Sequence, residues 1–288
     1  MGKNNQLGFM ALALLAESFI IYASVLVKIA PLEPITLGFY RVFLALPFFY
    51  LFARRKVKPF SLPLKDIGLM MFAGVFFAFD LLFFNMSLRH TSVANVNLFA
   101  SLVCFILVPI GVIFFKEKVR KLFFVGALIA AFGVFVLMMG KGELSVATPY
   151  GDFLAFLSVL CYSGFLAVIY TLRRRYGTME IMFFACVGSS IALFTLSSAI
   201  EGFALPQGWH AWGVVALIVF FGQILGQGLF NFILGKLNVQ TSSLLLLFSP
   251  VIAALMGFFI LGEYLGVFEM LGIGIIILGV YVAKKGSL

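Results

Sequence analysis

Three charged residues lie inside long apolar runs of the sequence, namely Glu17, Arg41 and Asp80. Charge is costly at the centre of a bilayer, so such residues usually face a bundle interior, pair with each other, or mark the path of a substrate or ion. If all three are ionised, pairing with Arg41 leaves one carboxylate over. That carboxylate could accept a proton or bind a cationic group. The alternative interpretation is a neutralising pair that only holds helices together.

Aromatic side chains flank Asp80 at helical spacing. Phe76 and Phe83 lie four residues before and three after it, with Phe77 and Phe84 beside them. A carboxylate next to aromatic faces suits an ammonium group, because charge attraction and cation–π attraction act together. Since the chain has 37 phenylalanines, the alternative is that these rings face lipid.

A polar stripe runs along a later apolar segment. Gln223, Gln227 and Asn231 are spaced by four residues, which places them on one face of a helix. Gly222 and Gly226 beside them form a GxxxG pattern that allows close helix approach. The stripe could line a substrate site or could supply hydrogen bonds between helices, and the sequence leaves both interpretations open.

Weaker candidates for substrate contact are Asn97, Ser249, Tyr22 and Tyr162, whose polar groups also fall within apolar segments. For a tyrosine the alternative role is anchoring at the membrane interface.

Metal and nucleotide chemistry find little support in the sequence. The only histidines are His90 and His210, and no HExxH pattern is present. The Gly272-Ile273-Gly274 segment lacks a preceding strand, so helix packing explains it better than a dinucleotide fingerprint. We therefore expect no cofactor, no metal and no enzymatic activity. A membrane enzyme acting on lipid is the alternative from another class, and it would need clustered His or Asp at an interface.

Composition and patterning indicate what positions these residues. Of 288 residues, 63% are hydrophobic and only 11% are charged, whereas soluble domains have roughly a quarter of their residues charged. A bilayer core needs about 20 apolar residues per helix. The sequence predicts an all-α membrane protein with ten transmembrane helices, over Leu7–Ile29, Pro34–Ala53, Asp66–Leu88, Ser92–Phe115, Lys121–Met139, Tyr150–Leu172, Thr178–Ile200, Ala211–Ile233, Gln240–Leu261 and Leu265–Ala283.

The three charges fall at similar depths in these predicted helices. At a rise of about 1.5 Å per residue, Glu17 lies about 15 Å and Asp80 about 21 Å from the inner face. Arg41 lies about 20 Å from that face in a core of about 30 Å. All three are therefore expected close to the membrane midplane.

The basic residues predict the orientation. With the N-terminus inside, sixteen of the twenty Lys and Arg residues fall in inner connectors and termini, three fall outside, and Arg41 is within a span. Lys and Arg are retained on the cytoplasmic side. We therefore expect cytoplasmic N- and C-termini in the cell (inner) membrane, with lipid and not nucleic acid as the partner of the net charge of +9.

An internal repeat relates the two halves of the chain. A fixed offset of 146 residues aligns seven identical pairs without a gap, namely Asn85 with Asn231, Val93 with Val239, Leu98 with Leu244, Glu117 with Glu263, Gly126 with Gly272, Gly133 with Gly279 and Val134 with Val280. Each half has five predicted helices, an odd number, so the second half inserts upside down. The sequence thus predicts two inverted five-helix repeats, residues 1–140 and 147–288, a construction found in many secondary transporters.

On these features the sequence resembles the drug/metabolite transporter superfamily, specifically its EamA-type ten-helix members. The resemblance rests on Ser249-Pro250-Val251, then Leu261-Gly262-Glu263, then Gly272 and Gly279, with a weaker copy in the first half and Phe39-Tyr40-Arg41 opening the second helix. One departure is that Cys104 stands at the position equivalent to Pro250, which leaves the fourth helix without the proline of that kink. Lys116 likewise stands for Gly262.

The resemblance implies a secondary transporter that moves small metabolites by alternating access, with EamA-like repeats around a midplane site. Amino acids or similar zwitterions are favoured, because the site would offer both Arg41 and a free carboxylate, and an amino-acid exporter is one form this takes. S-adenosylmethionine, nucleosides and drugs are alternatives. Protons are a candidate coupling ion, and neither the direction of transport nor the oligomeric state follows from the residues.

Overall fold

The computed structural model describes residues 3–54, 62–116, 119–141, 148–237, 239–261 and 264–286, and these contain helices and no strand. The elements are α1 (Lys3–Ile29), α2 (Pro34–Phe43), α3 (Leu46–Ala53), α4 (Leu64–His90), α5 (Val93–Ser101), α6 (Val103–Phe115), α7 (Lys121–Lys141), α8 (Pro149–Leu172), α9 (Thr178–Ile200), α10 (Gly208–Leu217), a π-helical stretch (Ile218–Gly228), α11 (Leu229–Leu234), α12 (Val239–Leu246), α13 (Ser249–Leu261) and α14 (Val267–Gly286).

Nine stretches of the described chain are long and apolar enough to cross a membrane. The tenth predicted span is present as α12 and α13, whose shorter apolar run covers Gln240–Met256. Four of the ten spans are interrupted: α2 continues as α3, α5 as α6, α12 as α13, and α10 passes through the π-helical stretch into α11. The predicted ten-helix membrane fold is confirmed, with ends that differ by a few residues from the predicted bounds.

The fourth and ninth spans break at positions that the repeat makes equivalent. One break falls at Leu102 and the other at Leu247 and Phe248, and an offset of 146 places Leu102 on Phe248. Both breaks tighten to i→i+3 backbone hydrogen bonds, and at the first break the Ser101 hydroxyl donates to the Leu98 carbonyl of the preceding turn. Such serine bonds compete with the helical pattern. The fourth span therefore bends at the position equivalent to the break before Ser249-Pro250, although Cys104 replaces the proline there.

Glycines set the packing of α7 on α14. A Cβ at Gly126 would lie 2.1 Å from the backbone of Ala283, and one at Gly272 would lie 2.5 Å from the backbone of Leu137. An offset of 146 converts the first contact into the second. The contact of Gly133 with the Ile276 backbone, where a Cβ would lie 2.6 Å away, converts in the same way into that of Gly279 with the Ala130 backbone, where a Cβ would lie 2.3 Å away. The two helices are thus antiparallel and related by an internal two-fold axis.

Polar contacts join the two halves at both ends of the bundle. At the end that we name the basic end, where Arg54, Arg173 and Lys236 follow their helices, Tyr176 donates to Asp66 at 2.5 Å. At the opposite end the Glu201 carboxylate accepts hydrogen bonds from the backbone N–H groups of the first turn of α2, at 2.8 and 2.9 Å. At the same end Asp152 accepts hydrogen bonds from the side chains of Thr91 and Asn95 of the first half, at 3.2 and 3.1 Å.

Some repeat positions are outside the described residues. Glu117, Gly262 and Glu263 belong to this group, so their predicted equivalence has no structural counterpart here. The division into residues 1–140 and 147–288 also stays a prediction, because the connecting residues 142–147 are not described.

Candidate functional site

A cavity lies at the centre of the bundle, where the two halves meet. It contains about 600 Å³ of space up to its mouth. Helices of both halves line it, through Glu17, Ile20, Arg41, Phe77, Asp80, Leu81, Phe84, Asn97, Ala100, Val103, Ser158, Val159, Tyr162, Gln227 and Leu246. The three charged residues predicted near one depth are therefore brought together in one cavity.

Glu17 projects from α1 into this cavity and is held from the other half of the chain. Ser249, at the start of α13, donates to Glu17 Oε1 at 2.5 Å. The other carboxylate oxygen, Oε2, is buried and has no hydrogen-bond partner among the residues that the structure describes. A buried oxygen without a donor is costly. Glu17 is therefore ready to accept a hydrogen bond from a ligand or to take up a proton.

Asp80 on α4 has a similar arrangement. Ser158 on α8, in the other half, donates to Asp80 Oδ1 at 2.6 Å. Asp80 is 8% exposed, against 4% for Glu17, and both line the cavity wall. Each carboxylate is thus bound by a serine across the interface between the halves, and each has an oxygen left for other contacts.

Arg41 does not form the ion pair that we considered from the sequence. Its guanidinium donates to Gln223 Oε1 at 3.2 Å and to the Gly222 carbonyl at 3.4 Å, and both acceptors are uncharged. Within the described part of the chain, neither Glu17 nor Asp80 forms an ion pair with it. The reason is that Arg41 extends from α2 toward the π-helical stretch, whereas the carboxylates are held by serines. All three charges therefore line one cavity without neutralising each other by contact.

Only the middle residue of the polar stripe reaches the cavity. Gln227 lines it and donates to the Tyr162 hydroxyl at 3.2 Å. Gln223 binds Arg41, and Asn231 donates to the Met182 sulfur at 3.4 Å, so both serve contacts between helices. Of the π-helical stretch and α11, which carry the stripe, Gln227 is the residue that borders the cavity. The expectation of a continuous cavity-lining face thus holds for Gln227 and not for its two neighbours.

Other predicted site residues divide between the cavity and the surrounding packing. Asn97 lines the cavity. Phe76 instead packs against Gly164, Phe83 against Phe79 and Tyr22 against Phe221, and none of the three borders the cavity. The rings next to Asp80 that do line it are Phe77 and Phe84, because helical rotation brings residues i−3 and i+4 of Asp80, and not i−4 and i+3, to the inner face.

Of two polar cavity residues on α8, Tyr162 was a weaker sequence candidate and Ser158 was not a candidate. Ser158 and Tyr162 are separated by four residues on α8 and lie on one face. That spacing is visible in the sequence. The serine becomes a site candidate only once α8 is known to pack on α4 beside Asp80. Sequence reasoning could not supply this pairing of helices.

The fold and the cavity define a class of protein, the polytopic membrane transporter with a central polar site between two halves. The EamA-like transporter family matches residues 7–139 and, separately, 149–284. The chain belongs to this family of the drug/metabolite transporter superfamily.

Relatives of this chain include three proteins described as uncharacterised transporters. YyaM of Bacillus subtilis is 26% identical over 220 residues, which cover 72% of this chain and 69% of the relative. A protein of Archaeoglobus fulgidus is 25% identical over 77% of this chain and 79% of its own length. One of Haemophilus influenzae is 22% identical over 74% and 72%. A solved crystal structure shares the fold with a TM-score of 0.77 at 18% identity, covering 99% of this chain and 98% of that one.

Proposed function

We propose that this protein is a secondary transporter of amino acids or amino-acid-like zwitterions, which bind in the central cavity between the halves. The observation that supports the substrate class is the combination of Arg41 with the two carboxylates Glu17 and Asp80 in one cavity, without an ion pair between them. A zwitterion has one group for each sign of charge.

The acidic side of the cavity suits the ammonium group of such a substrate. Glu17 Oε2 lacks a donor in the described residues, and a primary ammonium has three N–H groups to donate. Phe77 and Phe84 line the same cavity as Asp80 and can add cation–π attraction. An ammonium group there satisfies the buried oxygen and offsets the surplus negative charge.

The basic side suits a carboxylate. Arg41 has five N–H donors, and the two contacts it makes are long ones to neutral oxygens. A substrate carboxylate would form shorter, charge-assisted bonds with it. The Tyr162 hydroxyl, which accepts a bond from Gln227, keeps its own proton to donate to the substrate.

The same geometry supports a mechanism of alternating access. The fourth and ninth spans, both broken, cross beside the cavity with α5 near α13 and α6 near α12. The contacts between halves at the two ends, Tyr176 with Asp66 and Glu201 with the start of α2, can open in turn. Rocking of one half against the other would then expose the cavity to each side. We place the basic end, with both termini, in the cytoplasm of a cell with an inner membrane.

Other substrates of the family remain alternatives with distinct expectations. S-adenosylmethionine also carries an amino-acid moiety and would use the same charges, whereas nucleosides and neutral drugs would not need Arg41 or the carboxylates. No specific observation favours our candidate function from another class, a membrane enzyme acting on lipid.

The test is transport by the purified protein in proteoliposomes. Counterflow of labelled amino acids, S-adenosylmethionine and nucleosides is measured with and without a proton gradient, because a surplus carboxylate makes protons a candidate coupling ion. The proposal expects saturable counterflow of an amino acid. Excess analogues that lack either the ammonium group or the carboxylate group should not inhibit this counterflow. Counterflow of nucleosides alone would contradict it.

A further inference from the structure

A second crevice lies on the side of the bundle, at the basic end and apart from the central cavity. It is formed by α3, the first turn of α9, the π-helical stretch and α11, and it contains about 1070 Å³ of space up to its mouth. Its walls are mostly apolar, with Phe48, Phe52, Ile224, Leu229 and Phe232 among them. Phe52 and Phe232 are 39% and 37% exposed, so the crevice opens toward the lipid.

One carboxylate lies in this apolar crevice. Glu180 is 3% exposed and lines it, and its Oε2 is buried with no hydrogen-bond partner among the described residues. Gly177 and Gly228 contribute only backbone to the wall, and a Cβ at Gly177 would lie 2.2 Å from Glu180 Oε2. The absence of a side chain at Gly177 therefore leaves the room that this carboxylate occupies. An unpartnered carboxylate in an apolar wall calls for a cationic donor.

Glu269 provides a contrast within the same chain. It too lies in the first turn of its helix, three residues after a glycine, and is 3% exposed. Its carboxylate accepts the backbone N–H of Gly266 at 2.5 Å and so caps α14. Glu180 has the same sequence relation to Gly177, but its Oε2 is not satisfied in this way. Capping alone therefore does not account for Glu180.

A cation beside one wall of the crevice suggests the second charge of the ligand. The Lys236 ammonium lies 5.7 Å from the centre of the Phe232 ring, which lines the crevice, and Lys236 is exposed. A purely cationic amphiphile would meet this positive charge on entry. A headgroup with a phosphate followed by a primary ammonium satisfies both Lys236 and Glu180 and leaves its chains against the phenylalanines.

We propose that this crevice binds a phospholipid with a phosphoethanolamine headgroup, its ammonium on Glu180 and its phosphate near Lys236. A primary ammonium donates hydrogen bonds to a carboxylate, whereas the trimethylated ammonium of choline cannot. The site is independent of the proposed transport function, and among the described elements the π-helical stretch is the one that lines both the crevice and the central cavity.

The test is lipid binding to the full-length, delipidated protein by native mass spectrometry. Palmitoyl-oleoyl phosphatidylethanolamine and phosphatidylcholine with the same acyl chains are titrated onto the wild-type protein, Glu180→Gln, Lys236→Gln and the matched control Glu269→Gln. We expect the first ethanolamine lipid to bind at least tenfold more tightly than the choline lipid. Glu180→Gln should remove that preference, Lys236→Gln should weaken the ethanolamine lipid several-fold, and Glu269→Gln should leave the preference unchanged.

Two outcomes would overturn the proposal. Equal affinity for both lipids in the wild-type protein would mean nonspecific lipid contact only. The second outcome is that dodecylamine binds as tightly as the ethanolamine lipid, in a way that requires Glu180 and is unchanged by Lys236→Gln. That result would assign the crevice to soluble lipophilic cations. If Glu180→Gln does not fold, the exposed Lys236→Gln variant still decides, because an unchanged affinity for the ethanolamine lipid would contradict the assigned headgroup.

Discussion

Ser249 on α13 donates a hydrogen bond of 2.5 Å to Glu17 on α1, so a residue of the second half holds an acidic residue of the first. Ser158 does the same for Asp80 at 2.6 Å. The carboxylates of the central cavity thus lie at the interface between the two halves. The proposed movement of the halves would change the surroundings of both charges, which links substrate binding to the state of the interface.

Ser249→Ala removes the hydrogen bond observed at Glu17 Oε1. A hydrogen bond to a charged group contributes roughly 1.5–3 kcal/mol, so we expect the substrate KM to change by about tenfold or more while the protein still inserts. Counterflow kinetics measure this. Ser163→Ala is the control, because Ser163 is buried but bonds only the Val159 carbonyl of its own helix. Equal effects of the two variants would show that the Ser249 bond has no special role.

Arg41→Lys retains the positive charge but loses the fork of donors that reaches Gln223 and Gly222. Lys cannot reproduce bidentate contacts with a carboxylate, so transport of zwitterions should fall by tenfold or more with a small loss of thermal stability. Arg41→Ala should lower both transport and stability, since it leaves a cavity and an unpaired Gln223 carbonyl. Full transport by Arg41→Lys would mean that only the sign of the charge matters.

Gly279→Ala should destabilise the contact of α7 with α14. Its Cβ would lie 2.3 Å from the Ala130 backbone, so the helices must separate, and such overpacking costs about 1–3 kcal/mol. Thermal unfolding in detergent should show a melting temperature lower by several degrees. Gly274→Ala, on the same helix, is the matched control because no atom lies within 4 Å of its Cβ. Equal melting temperatures of the two variants would contradict the assigned packing.

The orientation predicts that a reporter fused after Leu288 is active in the cytoplasm. Sixteen basic residues on one side against three on the other set this expectation. Paired fusions of alkaline phosphatase and green fluorescent protein at the C-terminus measure it. A phosphatase-positive, non-fluorescent C-terminus would reverse the sidedness of the cavity and of the crevice.

The fold could largely be predicted from the sequence, because the thickness of the bilayer sets the length of each apolar span and the cost of burying charge places most charged residues between the spans. The 146-residue offset also paired Gly126 with Gly272, and these two glycines make equivalent helix contacts in the structure. The bend at Leu102 was not accessible by looking for proline, because the backbone there is altered by serine and i→i+3 bonds instead.

The site was accessible in part. Burial cost identified Glu17, Arg41 and Asp80 as residues that belong inside the bundle, and the structure gathers them in one cavity. Their partners depend on which helices touch, and the helix pairing that brings Ser158 to Asp80 is a long-range property. The rotation of α4 decides whether Phe77 and Phe84 or Phe76 and Phe83 face the cavity. The two pairs differ by one residue in sequence, and only helix packing fixes the rotation.

The central claim is that the cavity charges bind the substrate, and transport by Asp80→Asn and Glu17→Gln tests it most directly. Both variants keep the size of the side chain and lose its charge, and Glu269→Gln serves as a buried acidic control away from the cavity. In proteoliposomes with the amino acid found by counterflow, we predict that Asp80→Asn and Glu17→Gln each lower uptake at least tenfold at equal reconstitution, whereas Glu269→Gln does not. Wild-type uptake rates and an unchanged pH dependence in both cavity variants would show that these charges are structural and would contradict the account.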